Sequence, residues 1–385
     1  YDKIIIMKVA LISAHSFLHP GGVRSHILGL HKEFKKLGIE SKIIAPRRSI
    51  SEKADKDMIL LGTSFPVEFG GAVGDLDFIF NIVALERVLK KEQFDVLHFH
   101  NFSFPSIFQF FLSPQTSKTL NILTFHSNPF GSKFFRKYPF IFKFFLKIFQ
   151  KKLDGIIVVA PFLLPLFKNF KKPKIAIPNG IDLELFNPKI KPAFSFGDKK
   201  VNILFVGRLD KRKGIMYLLK AFYILEKKYK DKIRLIVVGT GPEKEKCLKF
   251  VEEKKLGNVV FLGEKKENIA SFYNLADIFC APSIFGESFG IISLEAMACQ
   301  KPVVAFANKG YKEFLKDKKG AILVQNRSYT KLAQAMEKLI IDKKKRERMG
   351  KIAKKEAEKY SYEKIAKKVL DFYTLCQREK AKKFF

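Results

Sequence analysis

The chain has 385 residues, more than one hydrophobic core usually organises, so two domains are expected. Hydrophobic residues at 47% and charged residues at 29% describe a globular protein and exclude extensive disorder. The formal net charge of +34 leaves two origins open: an anionic partner such as nucleic acid or a membrane surface, or a compositional excess of Lys, Phe and Ile.

In chain order, YDKIIIMKVALIS reads as a first buried strand without the cleavage pattern of a signal peptide. In PGGVRSHILGLHKEFKKLG, Gly21 and Gly22 stand between that strand and a helix, where the backbone can approach an anion closely. SKIIAP, FDVLHFH, NILTFH and GIIVVA follow as short strands alternating with helical or loop stretches, and FGGAVGDLDF, with Asp75 and Asp77, reads as a loop. His98 and His100 share one strand face by period two. Imidazoles at strand ends near a phosphate site need no ion, so no metal is expected.

Phenylalanine, 41 residues in all, is concentrated between Phe94 and Phe149. In FFRKYPFIFKFFLKIFQKK, Lys143, Lys147 and Lys151 fall on one helix face and Phe occupies most of the remaining circumference. That is the pattern of a helix lying in a membrane interface, here the segment from Phe134 to Lys152. The longest apolar run, GIIVVAPFLLPLF, is too short to span a bilayer and carries Pro161 and Pro165, so no transmembrane helix is expected. After the turn-rich NPKIKPAFSFGDKK the alternation restarts with VNILFVGRL, a helix in GIMYLLKAFYILEKKY, then IRLIVVG, NVVFLG, ADIFCAP, KPVVAF and GAILV. Two doubly wound α/β domains with parallel sheets are expected, with ligands at the carboxyl ends of the strands in a cleft between them. The four cysteines show no C-x2-C spacing, which fits a reducing cytoplasm and no zinc site.

The stretch GESFGIISLEA sets Glu287 and Glu295 eight positions apart. Glu287 is expected in a loop at a helix N-terminus and Glu295 about two turns inside, a separation of roughly 12 Å at about 1.5 Å per residue. Paired glycosidase carboxylates stand about 5 to 9.5 Å apart. The wider interval suits one extended ligand gripped at two places, with the free N–H groups of the helix start available to a phosphate. FVGRLDKRKG adds Arg208 and Lys213 just beyond a strand, where two cations can clamp a diphosphate.

Together PGGVRSH, FDVLHFH, LTFHSN, IPNGIDLELF, FVGRLDKRKG, IVVGTGPE and GESFGIISLEAMA resemble family 4 of the glycosyltransferases over nearly the whole chain. The PGGV-x-SH opening and the CAP-x-x-x-GESFGI block are closest to the phosphatidylinositol mannosyltransferases. The resemblance implies a retaining, metal-independent enzyme of the GT-B fold, two Rossmann-like domains facing across a cleft. It implies an acceptor domain over residues 1–190, a nucleotide-sugar domain over 191–361, and a last helix over 362–385 crossing back to the first domain. By matching motif, Glu287 would bind the donor sugar and Glu295 the ribose hydroxyls. The backbone of Phe289, Gly290 and Ile291 would hold sugar and diphosphate, with Gly263 lining the same donor site. Arg208 and Lys213 would neutralise the departing diphosphate, Gly21 and Gly22 would approach it from the first domain, and His126 would reach the sugar. Arg24, Asp75 and Asp77 would face the acceptor.

The implied reaction moves a hexose, mannose by preference, from a nucleotide-diphosphate sugar such as GDP-mannose to a lipid-linked or glycan acceptor alcohol. It implies no cofactor, and a peripheral location on the anionic inner face of the cell membrane. The chain departs from its relatives at Asp75 and Asp77, where those enzymes carry basic and hydrogen-bonding residues; Asp75-Leu76-Asp77 resembles the D-x-D of metal-dependent transferases, but those use another fold. Carboxylates repel a phosphate, so an acceptor presenting neutral sugar hydroxyls is expected and phosphatidylinositol should be a poor one. Two alternatives remain: a GT-B sugar epimerase or phosphorylase that uses no acceptor alcohol, and a basic nucleic-acid-binding protein. The second lacks a basic stripe with interleaved aromatics, so no nucleic acid is expected.

Overall fold

The computed structural model describes residues 7–18, 21–49, 52–69, 72–101, 105–126, 137–265 and 267–382, apart from the side chains of residues 68, 69 and 72–75. The chain forms two compact units, one of Tyr1–Gly180 with Tyr362–Phe385, the other of Ile181–Ser361.

The first unit carries β1 (Lys8–Ser13), β2 (Glu40–Arg47), β3 (Met58–Phe69), β4 (Ala72–Phe78), β5 (Val96–His100), β6 (Leu120–Phe125), β7 (Gly155–Val158) and β8 (Lys174–Ala176). They lie in one sheet in the order β4-β3-β2-β1-β5-β6-β7-β8. Every neighbouring pair is parallel except β3 with β4. Uninterrupted apolar strands such as GIIV, buried at every residue, are what a parallel sheet covered on both faces requires. Its helices are α1 (Gly22–Lys36), α2 (Ile82–Glu92), α3 (Ser106–Leu112), α4 (Pro114–Lys118) and α5 (Pro139–Lys152). Successive strands run outward from β1 to β4, then restart at β5 beside β1, so the topological switch lies between β1 and β5.

Asp75 and Asp77 are not on a loop. They belong to β4, which pairs antiparallel with β3 in the register Pro66↔Asp75 and Ser64↔Asp77. The pair Gly70-Gly71 between two β-rich runs is a hairpin signal that the loop reading passed over.

The second unit has β9 (Val201–Val206), β10 (Ile233–Val238), β11 (Val259–Gly263), β12 (Ile278–Ala281), β13 (Val303–Phe306) and β14 (Ala321–Val324). All pairs are parallel, in the order β11-β10-β9-β12-β13-β14, with the switch between β9 and β12. Its helices are α6 (Ile215–Tyr229), α7 (Lys244–Glu253), α8 (Ile269–Tyr273), α9 (Ile291–Ala298), α10 (Lys309–Leu315), α11 (Tyr329–Ile341) and α12 (Lys343–Ala357). Its core joins Ile203, Phe205, Leu218, Phe222, Leu235 and Met336, all at most 1% exposed.

The last helix, α13 (Tyr362–Ala381), belongs to the first unit. Ile365, Val369 and Phe372 enter the first core, Tyr362 Oη donates to the Ser25 carbonyl at 2.9 Å, and Lys380 Nζ lies 3.0 Å from Asp154 Oδ2. The first unit ends at Gly180, ten residues before the boundary expected at 190, because the following segment is tied to the second unit. Ile181 N donates to the Tyr360 carbonyl at 2.8 Å, and Asn274 Nδ2 donates to the carbonyls of Asn187 and Ile190 at 2.9 and 2.8 Å.

Helix α5 divides its phenylalanines between two faces. Phe142 packs on Phe125 and Phe167, and Phe145 and Phe149 pack on Phe108. Phe140 and Phe144 stay 62% and 58% exposed, alongside the exposed Lys143, Lys147 and Lys151. The expectation of Phe around most of the circumference is corrected to an outer face of two rings and three lysines, because Phe142, Phe145 and Phe149 pack inward on α3, Phe125 and Phe167. Residues 134–136 of the expected segment lie outside the described residues. Among the described residues no helix is long and apolar enough to cross a membrane.

Candidate active site

In the second unit, the loops leaving β9 and β12 meet because those strands are direct neighbours at the switch point. Gly214 has φ of +70°, and a Cβ there would stand 2.0 Å from the Pro282 carbonyl oxygen, so only glycine lets the loops touch. Ile284 N donates to the Arg212 carbonyl at 2.9 Å, closing the contact.

This contact places Lys213 Nζ 2.6 Å from Glu287 Oε1 and Arg212 Nη1 3.5 Å from the same oxygen. Ser283 Oγ donates to that oxygen at 3.1 Å. Burial alone would raise the Glu287 carboxyl, but Lys213 and Arg212, with bonds from Lys213 and Ser283, outweigh it and hold the pKa below the usual value. Glu287 is therefore a carboxylate at neutral pH. Asp210, 3% exposed, organises the cations: its Oδ1 accepts from Lys213 N at 2.8 Å, and its Oδ2 lies 3.8 Å from Arg212 and 3.9 Å from Arg208.

Helix α9 starts at Ile291, so Glu295 lies about one turn inside it rather than two. Gly290 caps the helix in the left-handed region with φ of +85°, and a Cβ there would meet the Tyr311 ring at 2.3 Å. The Phe289 side chain is buried against Phe314, at 4.5 Å between centroids, so that residue offers the site its backbone. Glu295 differs in character from Glu287. Burial pushes its carboxyl up to about 7, opposed by the 2.6 Å bond from Tyr273 Oη and by Lys213. Gly263 ends β11, and a cavity of about 810 Å³ opens next to it, lined by Ile190, Lys191, Glu264, Lys265, Asn268 and Phe272. A smaller cavity of about 210 Å³ between Leu225, Lys228, Ala333 and Glu337 contains no strand-end residue and lies outside this constellation.

In the first unit the strand ends gather imidazoles. His126 follows β6, His100 ends β5, and His26 lies on α1; all three are buried. His100 Nδ1 and His126 Nε2 are 3.2 Å apart. Burial drives all three pKa values down, so the rings are neutral. His98 is held from both sides, by Tyr373 Oη on Nδ1 and Thr124 Oγ1 on Nε2, each at 2.6 Å.

Gly21 precedes α1 with an extended backbone that any residue adopts; among the described residues nothing lies within 4 Å of the position a Cβ would take. Gly22 is the first residue of that helix. The Arg24 guanidinium stands 5.7 Å over the Phe17 ring. Asp77 is 3% exposed and accepts a bond from Ser106 Oγ. Burial pushes its carboxyl up to about 7, against Ser106 and His15. The side chain of Asp75 lies outside the described set.

The structure thus brings Lys213, Glu287 and Glu295 of the expected residues into one field, with Arg208 beside them through Asp210. Sequence reasoning missed Arg212, Asp210, Tyr273 and Ser283. The signal for Arg212 was present in the run DKRKG, where three consecutive cations on a short loop leave the choice among them open. Tyr273 carried no such signal, since its partner is 22 residues away.

Two α/β units of this topology, with cations and carboxylates at a strand-order switch, define a glycosyltransferase of the GT-B fold. A model described as Glycosyltransferase Family 4 matches residues 20–185, and one described as Glycosyl transferases group 1 matches 186–356. The phosphatidyl-myo-inositol mannosyltransferase of Mycobacterium leprae is 28% identical over 373 residues, covering 95% of this chain and 96% of its own. A glycosyltransferase from Rickettsia africae shares the fold at a TM-score of 0.77 and 19% identity, over 98% of this chain and 99% of its own. Sucrose-phosphate synthase from Thermosynechococcus elongatus does so at 0.76 and 21%, over 96% and 98%. The chain belongs to the family 4 glycosyltransferases.

Proposed function

We propose that the chain is a retaining hexosyltransferase that moves mannose from GDP-mannose to a lipid-linked or glycan acceptor alcohol, with no metal ion required. The observation that carries this reading is the Lys213–Glu287 pair at 2.6 Å, flanked by Arg212 and Arg208, at the switch point of the second unit. An ionised Glu287 accepts hydroxyl protons of the hexose. Lys213 has three N–H donors, so one stays on Glu287 while the others turn to the diphosphate. As the glycosidic bond opens, negative charge grows on the leaving diphosphate, and Lys213 with the Arg208 fork stabilises it where a metal would otherwise be needed. The backbone of Phe289, Gly290 and Ile291 meets the diphosphate and sugar at the start of α9. Glu295 takes the ribose hydroxyls, and the cavity beside Gly263 has the size for a nucleobase.

In the first unit, Gly21 and Gly22 approach the diphosphate at the start of α1, His126 reaches the sugar from the end of β6, and Arg24 faces the acceptor. The expected acceptor role of Asp77 is corrected, because its carboxyl is buried on Ser106, which leaves Asp75 as the departure from the inositol-lipid relatives. The acceptor therefore presents sugar hydroxyls, and phosphatidylinositol is a poor substrate. The exposed Phe140, Phe144, Lys143, Lys147 and Lys151 suit an anionic membrane surface on which a lipid acceptor is met. Calorimetric titration of GDP and GDP-mannose into the wild type, Lys213→Ala and Glu295→Ala tests the donor reading. Both ligands should bind the wild type, and both variants should bind GDP at least tenfold more weakly. No binding of any nucleoside diphosphate by the wild type would overturn it.

A further inference from the structure

We propose that His26, His100 and His126 form a binding site for a borderline divalent transition ion, with Zn²⁺ as the reference case. The binding step stands by itself; its consequence for transfer rests on the reading of His126 above.

The three rings come from three elements and converge, with centroids 5.2 to 5.5 Å apart. One ring nitrogen from each lies within 4.8 Å of one from each of the others. In a tetrahedral zinc site with Zn–N of 2.0–2.1 Å, ligand nitrogens stand about 3.3 Å apart. His100 Nδ1 and His126 Nε2 stand at 3.2 Å through a hydrogen bond to one another, and an ion at this spacing takes the place of the shared proton, which moves to the outer nitrogen of its ring. His26 places a ring nitrogen within 4.8 Å of the other two, and its Nδ1 has no hydrogen bond to give up.

Hydrogen bonding leaves this cluster incomplete. His26 Nδ1 and His100 Nε2 are buried without a partner, which is uncommon for polar atoms in a folded interior, and His126 has the Asn179 side chain beside it. An all-imidazole set favours zinc, copper or nickel over magnesium or calcium. His98 stacks on His100 at 4.2 Å but has both nitrogens engaged, and forms the wall of the site rather than a ligand. Among the described residues no fourth His, Cys, Asp or Glu joins the group, so the fourth position falls to water or an exogenous anion. A bound ion would draw His126 away from the sugar, so zinc is expected to inhibit transfer rather than support it.

The test uses the full chain stripped with EDTA and titrated with Zn²⁺, then with Mg²⁺, by calorimetry. One Zn²⁺ per chain should bind at micromolar concentration or tighter and Mg²⁺ not at all. His26→Asn should weaken zinc at least thirtyfold. X-ray absorption of the zinc-loaded wild type should count three imidazole nitrogens at about 2.0–2.1 Å. Fewer than three imidazoles, or unchanged affinity in a folded His26→Asn, overturns the site and leaves a hydrogen-bonded histidine cluster. If His26→Asn does not fold by circular dichroism, the imidazole count on the wild type decides. Zinc should also suppress transfer, with EDTA restoring it. Zinc held by three imidazoles with transfer unaltered supports the ion site and overturns the sugar-contacting role of His126.

Discussion

Glu287 and Glu295 illustrate how two identical side chains acquire opposite tasks from their neighbours. Two cations keep Glu287 ionised, whereas burial holds the Glu295 carboxyl near neutrality. Glu287→Ala should therefore impair use of the sugar while sparing free GDP, and Glu295→Ala should weaken GDP itself; calorimetry with GDP and GDP-mannose separates the two. Wild-type GDP affinity should rise with pH through about 7 as Glu295 ionises, and Glu295→Gln should flatten that rise. Asp77 has a linked effect on stability. Its folded pKa of about 7 exceeds the unfolded value of 3.8, so its contribution is fully present below 3.8 and lost as pH rises through about 7. Asp77→Asn should then raise the melting temperature at pH 8, by an amount reflecting a few kcal/mol, and change little at pH 4. A lower melting temperature at pH 8 would show that the charged carboxylate is stabilised by a partner.

At the scale of elements, most strands were readable because a parallel sheet covered on both faces leaves apolar runs such as GIIVV. The β3–β4 hairpin was not, because AVGDLDF places Asp75 and Asp77 on the same strand face, where polarity looks like solvent exposure, while Asp77 is in fact buried on Ser106. The start of α9 was displaced by a turn in the reading, since the left-handed cap at Gly290 depends on the Tyr311 ring, a contact with no local sequence mark. The same long-range logic hid Tyr273 and Arg212. Helix α5 was half legible: its lysine stripe follows from spacing, but which phenylalanines face inward depends on Phe108, Phe125 and Phe167. Anionic vesicles should sediment the protein through the exposed half. Each lysine adds about 1 kcal/mol, weakened by salt. Lys143→Glu with Lys147→Glu and Phe144→Ser should lower the bound fraction severalfold, and an unaltered fraction would make α5 a packing element only.

For the whole molecule, 72 Lys and Arg outnumber 38 Asp and Glu, and at the proposed donor site Arg208, Arg212 and Lys213 are faced by Asp210 and Glu287. If these cations take the place of a metal, as proposed, EDTA should leave transfer undiminished, and a strict need for Mg²⁺ or Mn²⁺ would count against that arrangement. Removing one such cation, as in Lys213→Ala, should cost about 3 kcal/mol of transition-state stabilisation, roughly a hundredfold in turnover. The most direct measurement of the central claim is the product of a reaction containing EDTA, labelled GDP-mannose and a glycolipid extract. The account predicts label in the lipid fraction, dependence on Lys213, and the donor's anomeric configuration preserved by NMR. Intact donor in the presence of the extract, or a product of inverted configuration, would contradict it.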